Sequence, residues 1–182
     1  SSVPESYYKL ASVFFPGALT LIYYKSDSVS DVATAGQSTV ALRMPDNEIA
    51  LELLRAAQVP VAAPSANISG TPSPTKAEHV YNDMNGRIDA ILDGGECKIG
   101  IESTVLSLIG TPTILRPGAV TKEMLAAVIG EVQLSKSILQ PLGSGEEALS
   151  PGMKYKHYSP NAQVYAVYGN EHEIANKIAY HY

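Results

Sequence analysis

Arginines close two apolar segments of this sequence. Arg43 follows Val, Ala and Leu in STVALRM (38–44), and Arg116 ends TILR (113–116) directly before Pro117-Gly118. A guanidinium so placed either carries its head to water along an apolar stem or grips a carboxylate or phosphate through paired N–H bonds. Hydroxyls and an amide gather at two further transitions. VPVAAPSANISGTPSPT (59–75) breaks from an apolar run into prolines, hydroxyls and Asn67, and GIESTV (100–105) sets Glu102, Ser103 and Thr104 before an apolar run. In an extended segment Ser65 and Asn67 share one side, the one offering a hydroxyl and the other both a donor and an acceptor. Thr75 opens the next helix, where free backbone N–H groups favour an anion. The plainer uses are a Pro-rich loop with caps and a solvated strand entry.

SPGMKYKHYSP (150–160) packs Tyr155, His157, Tyr158, a Met and two Lys into one irregular passage. Such a segment either closes as a lid over an anionic or planar ligand or packs against a neighbouring domain. No phosphate-binding P-loop, dinucleotide glycine fingerprint or nucleophile elbow occurs. An enzyme made from these parts works by positioning and charge stabilisation rather than through a protein nucleophile. His79, His157, His172 and His181 lack metal-ligand spacing, and the single Cys97 neither completes one nor allows a disulfide within the chain.

The elements that must position these groups alternate. A helix is expected over 5–15, ending at Pro16-Gly17, then a strand LTLIYY (19–24), a Ser-rich loop through Gln37 and a strand over 38–44. Asp46 or Asn47 caps a helix EIALELLRAAQ, whose Ile49, Leu53, Leu54 and Ala57 recur at helical spacing. VPVAA (59–63) reads as a strand buried on both faces, and Thr75-Lys76-Ala77-Glu78 as a capping box opening a helix that ends near Gly86. Further strands are expected at IDAIL (88–92) and, as a hairpin, STVLSL (103–108) with TILR. Thr121 caps KEMLAAVIG, and QVYAVYG with EIANKIAYHY forms a last strand–helix unit. This order is α/β with a mixed sheet.

The chain has 182 residues, 45% of them hydrophobic and 17% charged, with a formal net charge of −5. That suffices for one ordinary core and argues against a surface gripping nucleic acid non-specifically, which needs clustered Lys and Arg. With no signal-like start and no apolar run of membrane-spanning length, a soluble, reducing, cytoplasmic setting without membrane contact is expected.

In order, FPGALTL, TVALRMP, APSANISGTPSPT, NGRIDAILDGG, GIESTV, ILRPGAVT and SPGMKYKHYSP resemble the YrdC-like family, and within it the two-domain L-threonylcarbamoyladenylate synthases. The resemblance spans nearly all of residues 10–160. It implies an α/β fold, a twisted open mixed sheet with flanking helices around a large cleft. The domains it implies are a YrdC-like catalytic domain over 1–134, a linker or lid over 135–160, and over 161–182 the start of a second small α/β domain. It also implies the conversion of L-threonine, bicarbonate and ATP to threonylcarbamoyl-AMP and pyrophosphate, with Mg²⁺ on the phosphates and no metal ligand identified in the chain. The product would pass to tRNA-modifying proteins, and a monomer is the simplest expectation. Under the resemblance Thr39, Asn67, Thr75, Arg116, Tyr155 and His157 hold ATP, while Arg43, Ser65 and Ser103 hold threonine. The family's Lys-x-Arg motif has no counterpart here and is expected before Ser1; the expectation is either a chain incomplete relative to the natural protein, or a truncated form that lacks a cationic wall of the site and several sheet strands and leaves apolar surface exposed. The alternatives are a YrdC-like module that binds RNA without catalysis, and a carbamoyl-handling domain of a larger enzyme, which should lack the 150–160 passage.

Overall fold

The computed structural model describes residues 2–138 and 166–181. Among the described residues five strands form one sheet: β1 (Leu19–Tyr24), β2 (Thr39–Leu42), β3 (Thr104–Ser107), β4 (Thr113–Arg116) and β5 (Gln133–Leu134), in the order β2-β1-β3-β4-β5. β1 pairs antiparallel with β2 and parallel with β3, β3 pairs antiparallel with β4, and β4 pairs parallel with β5. With helices α1 (Glu5–Phe14), α2 (Glu48–Ala57), α3 (Ala77–Met84), α4 (Lys122–Ile129) and α5 (Glu171–His181), this is the expected mixed, open α/β arrangement.

The period-two alternation of the strands sorts their side chains onto two faces. Leu19 and Leu21 of β1, Leu106 of β3 and Ile114 of β4 join Leu10 of α1 and Leu125 of α4 in the main core. The intervening Ile22, Val105 and Leu115 form a smaller cluster. Leu10, Leu19, Leu21, Leu106 and Leu125 are fully buried, each side chain stabilising by about 1.5–3 kcal/mol. A hydroxyl is buried among them. Thr104 Oγ1 donates to Val120 O (2.6 Å) and accepts from Val120 N–H (3.1 Å), so one side chain satisfies both backbone groups where the chain enters α4.

Local capping follows the sequence in two helices. Asn47 accepts from Ala50 N–H at the start of α2, and Thr121 accepts from Met124 N–H at the start of α4. The helix expected over EIANKIAYHY forms as α5, opened by a reciprocal pair: Asn170 Oδ1 accepts from Glu173 N–H and Glu173 Oε2 from Asn170 N–H.

Three local expectations are corrected. VPVAA and IDAIL are not strands: β2 is the edge of the sheet, and neither run gains a ladder among the described residues. Val59 and Leu92 are accordingly 60% and 63% exposed, not buried. Thr75 does not cap α3; Lys76 holds the N-cap position and makes no side-chain cap bond, because the chain remains extended one residue further. Of QVYAVYG, residues 166–169 form no strand and 163–165 lie outside the described residues, as does the 150–160 passage. α2 carries its expected apolar stripe, yet none of its residues is buried. No helix among the described residues is long and apolar enough to cross a membrane.

Thr104→Val keeps the shape and removes the hydroxyl, leaving the Val120 N–H and carbonyl buried and unpaired. A loss of about 2–3 kcal/mol is expected, seen as a lower midpoint of urea unfolding.

Candidate functional site

Strand direction brings the two arginines to one end of the sheet. β2 opposes β1, β1 runs with β3, and β3 opposes β4, so β2 and β4 point the same way. Arg43, just past β2, and Arg116, the last residue of β4, therefore emerge together, beside the starts of β1 and β3. The two strands stand roughly 14 Å apart across β1 and β3, and both side chains reach inward over that gap. Arg116 donates from Nε (3.2 Å) and Nη2 (2.9 Å) to the Ser103 carbonyl, and from Nη2 to Ser103 Oγ (3.1 Å). Arg43 donates from Nε to the Gly17 carbonyl (2.9 Å).

Among the described residues neither guanidinium is paired with a carboxylate, and Arg43 Nη1 and Nη2 make no hydrogen bond. Arg43 as a residue is exposed, but the protein atoms crowding its head press its pKa downward. The nearby Arg116 guanidinium acts in the same direction, and the Cys97 thiol opposes both. An arginine stays charged regardless, so two like charges are held close, neither in an ion pair among the described residues.

Ser103 is the pivot of this arrangement. Its residue is 6% exposed, its Oγ shares a hydrogen bond with Thr20 Oγ1 (2.8 Å), and its hydroxyl and carbonyl both take Arg116. The backbone around it is held against Gly118. A Cβ at Gly118 would stand 2.7 Å from the Ser103 carbonyl carbon and 2.5 Å from Thr104 N, and closer still to Glu102 O. The glycine after Arg-Pro is thus required by close approach, which lets the turn after β4 lie on the entry to β3.

A second wall comes from 64–75 and 93–97. Cys97 N–H donates to Thr75 O (2.9 Å), and Thr75 N–H donates to His79 Nδ1 (3.3 Å), so both backbone groups of Thr75 are used within the protein. Asn47 Nδ2 donates to Gly94 O (2.8 Å), tying the same loop to the start of α2. Between them lies a cavity of about 320 Å³, lined among others by Ala66, Thr75, Lys76, Ile91, Gly94 and Cys97. Ala66 stands between Ser65, which is exposed, and Asn67. Asn67 Nδ2 donates to the carbonyls of Ile68 (2.9 Å) and Thr71 (3.0 Å). Turning the amide over would set its oxygen against both carbonyls, so the orientation is determined. Its Oδ1 is buried with no hydrogen-bond partner among the described residues, an acceptor that a ligand donor would relieve.

The structure therefore brings Arg43, Ser103 and Arg116 together, while Thr75 is tied to Cys97 on the second wall. Ser65 and Asn67 flank the cavity wall. Thr39 is not brought in. It opens β2 opposite Tyr24, roughly 13 Å from Arg43 along the strand. Tyr155 and His157 lie outside the described residues. Sequence reasoning passed over Thr20, Asn47 as a loop tie, and the backbone of Cys97. A threonine between leucines in an apolar strand was a signal for the first; the other two are contacts between distant segments with no local mark.

Comparison with known proteins gives the family. Residues 1–118 match the Sua5/YciO/YrdC family model, described as telomere recombination, and the chain belongs to that family. Residues 120–181 match the model of the threonylcarbamoyl-AMP synthase C-terminal domain. Among curated relatives, the threonylcarbamoyl-AMP synthase of Bacillus subtilis is 50% identical over 177 residues, covering 96% of this chain and 50% of that protein. That of Pyrococcus abyssi is 48% identical, covering 97% of this chain and 52% of that protein. The chain thus spans about half the length of these relatives. The crystal structure of P. abyssi Sua5 complexed with L-threonine superposes with a TM-score of 0.90 at 47% identity, over 98% of this chain and 52% of that one. Escherichia coli YciO superposes with a TM-score of 0.58 at 26% identity, over 65% of this chain and 59% of that one.

Gly118→Ala tests the pivot. The added methyl is expected to displace the Ser103 backbone and cost about 1–3 kcal/mol, read in thermal unfolding, with a shift of the Arg116 guanidinium visible in a crystal structure of the variant.

Proposed function

We propose that the protein carrying this chain is an L-threonylcarbamoyladenylate synthase, a nucleotidyltransferase that makes threonylcarbamoyl-AMP and pyrophosphate from L-threonine, bicarbonate and ATP. The observation that carries this reading is the convergence of Arg43 and Arg116 beside Ser103, two cations that form no ion pair with a carboxylate among the described residues. Half-identity to threonylcarbamoyl-AMP synthases and the likeness to a structure holding L-threonine support it.

The chemistry suits these residue types. The threonine amine and bicarbonate first give a carbamate with loss of water. A carbamate oxygen then attacks the α-phosphorus of ATP, and the bond to the bridging oxygen breaks as pyrophosphate leaves. Anions gather at each step, so fixed cations and hydrogen-bond donors are what the protein must supply. Arg43, whose Nη groups are uncommitted among the described residues, would take the threonine carboxylate, with Ser103 held by Arg116; Ser65 keeps its threonine role from the resemblance alone. Arg116, held by Ser103, would face the phosphates, with Thr75 and the unpaired Asn67 acceptor on the nucleotide. Thr39, Tyr155 and His157 keep their ATP roles from the resemblance alone.

Mg²⁺ would arrive on the phosphates of ATP as part of the substrate. Among the described residues no three His, Cys, Asp or Glu side chains gather to hold a metal, and the donors at the site are hydroxyl, amide and guanidinium groups. A cytoplasmic monomer handing its product to tRNA-modifying proteins completes the proposal.

The intact protein is expected to release pyrophosphate from ATP only when threonine and bicarbonate are present; release indifferent to threonine would refute the reaction. Arg43→Ala is expected to raise the KM for threonine about 30-fold, for about 2 kcal/mol of lost charged hydrogen bonding. Arg43→Lys should recover little of it, because an ammonium cannot bind a carboxylate through a planar fork.

A further inference from the structure

Asp83 lies in α3, outside every group given a ligand role above, and its carboxylate meets the loop that carries Asn67. One oxygen, Oδ2, accepts from the Ile68 N–H (3.2 Å) and from the Thr71 hydroxyl (3.0 Å). That hydroxyl also stands 2.8 Å from the Ile68 carbonyl, so its single proton is shared between the two acceptors. Thr71 N–H donates to Ile68 O (3.1 Å) and closes the turn, in which Gly70 takes a φ of 95°. Asn67 Nδ2 then binds the two carbonyls that this turn presents, those of Ile68 and Thr71.

Each bond that sets the Asn67 amide thus runs through a residue that Asp83 holds. Among the described residues, no other hydrogen bond ties 64–71 to the rest of the molecule. Packing offers little in its place, since Ser65 is exposed and Ile68 is 41% exposed. A carboxylate with two donors on one oxygen is a stronger tether than a neutral acceptor would be.

We propose that Asp83 is a positioning residue for nucleotide binding: it fastens the Ile68–Thr71 turn to α3 and so keeps the Asn67 amide in the orientation that leaves its oxygen unpaired for the ligand. The assignment rests on the ATP role given to Asn67 under the proposed function. Asp83 touches no substrate. Its effect passes through the turn.

The test measures ATP affinity by equilibrium titration, the KM for threonine, and hydrogen exchange of the Ile68 amide in the intact protein. Asp83→Ala is expected to weaken ATP binding about 10-fold, leave the threonine KM within about twofold, and speed exchange at Ile68. Asp83→Asn, whose amide oxygen can accept the same two donors, should recover most of the affinity. Thr71→Val should weaken ATP binding several-fold, and adding it to Asp83→Ala should cost little more, because both act through one contact. Should Asp83→Ala fail to fold, Asp83→Asn and Thr71→Val carry the comparison. Unchanged ATP affinity with only a lower melting temperature overturns the proposal, as does an equal loss for ATP and threonine. Wild-type protein that binds ATP but releases no pyrophosphate refutes the reaction instead, and the Asp83 comparison is then decided by ATP affinity and Ile68 exchange.

Discussion

Arg116 gripping Ser103 is the contact on which the rest of the site depends. It joins β4 to the entry of β3 by three hydrogen bonds, and the geometry is possible only because Gly118 lets the following turn rest on the backbone of Glu102 to Thr104. Thr104, the next residue, sends its hydroxyl the other way, into the start of α4. Neighbouring side chains on one strand thus serve two purposes, one facing a site and one locking the core. Alternation along a strand makes this division available without any extra structure.

Sheet topology supplies the second requirement, that charges from distant strands face one another. Strands flanking a parallel pair, each antiparallel to its neighbour, necessarily deliver their carboxyl ends to the same edge. Arg43 and Arg116 are the residues found there. Burial of the Arg43 head and, after it, the neighbouring Arg116 charge both act against the charged form of Arg43, an environment that favours the arrival of an anion. Binding a carboxylate or a phosphate offsets both, so cations held apart from acids recognise anions better than ion pairs would.

The loop wall works by a different principle. Its extended backbone between β2 and β3 lacks ladder partners among the described residues, so hydrogen bonds from side chains take over the positioning. Asn47 fastens the loop at Gly94, Cys97 fastens it to Thr75, and Asp83 fastens the Ile68–Thr71 turn. A wall held by a few discrete bonds can be set by single residues in a way that a paired strand cannot.

Much of the fold was legible in the sequence. The apolar alternation of LTLIYY and TILR, the capping side chains Asn47 and Thr121, and the amphipathic period of EIALELLRAA are local signals, and β1, β4, α2 and α4 formed where those signals lie. Residue types at the site were legible too, because a guanidinium or an amide ending an apolar run is unusual wherever it occurs. Tertiary structure alone decided that Arg43 and Arg116 meet, that Thr39 stands away from them, and that Ser103 serves as an anchor. It also left VPVAA and IDAIL without a ladder among the described residues. A single strand declares its hydrophobicity in its residues, but whether it becomes a strand, and what its ends face, depends on hydrogen-bond partners far along the chain.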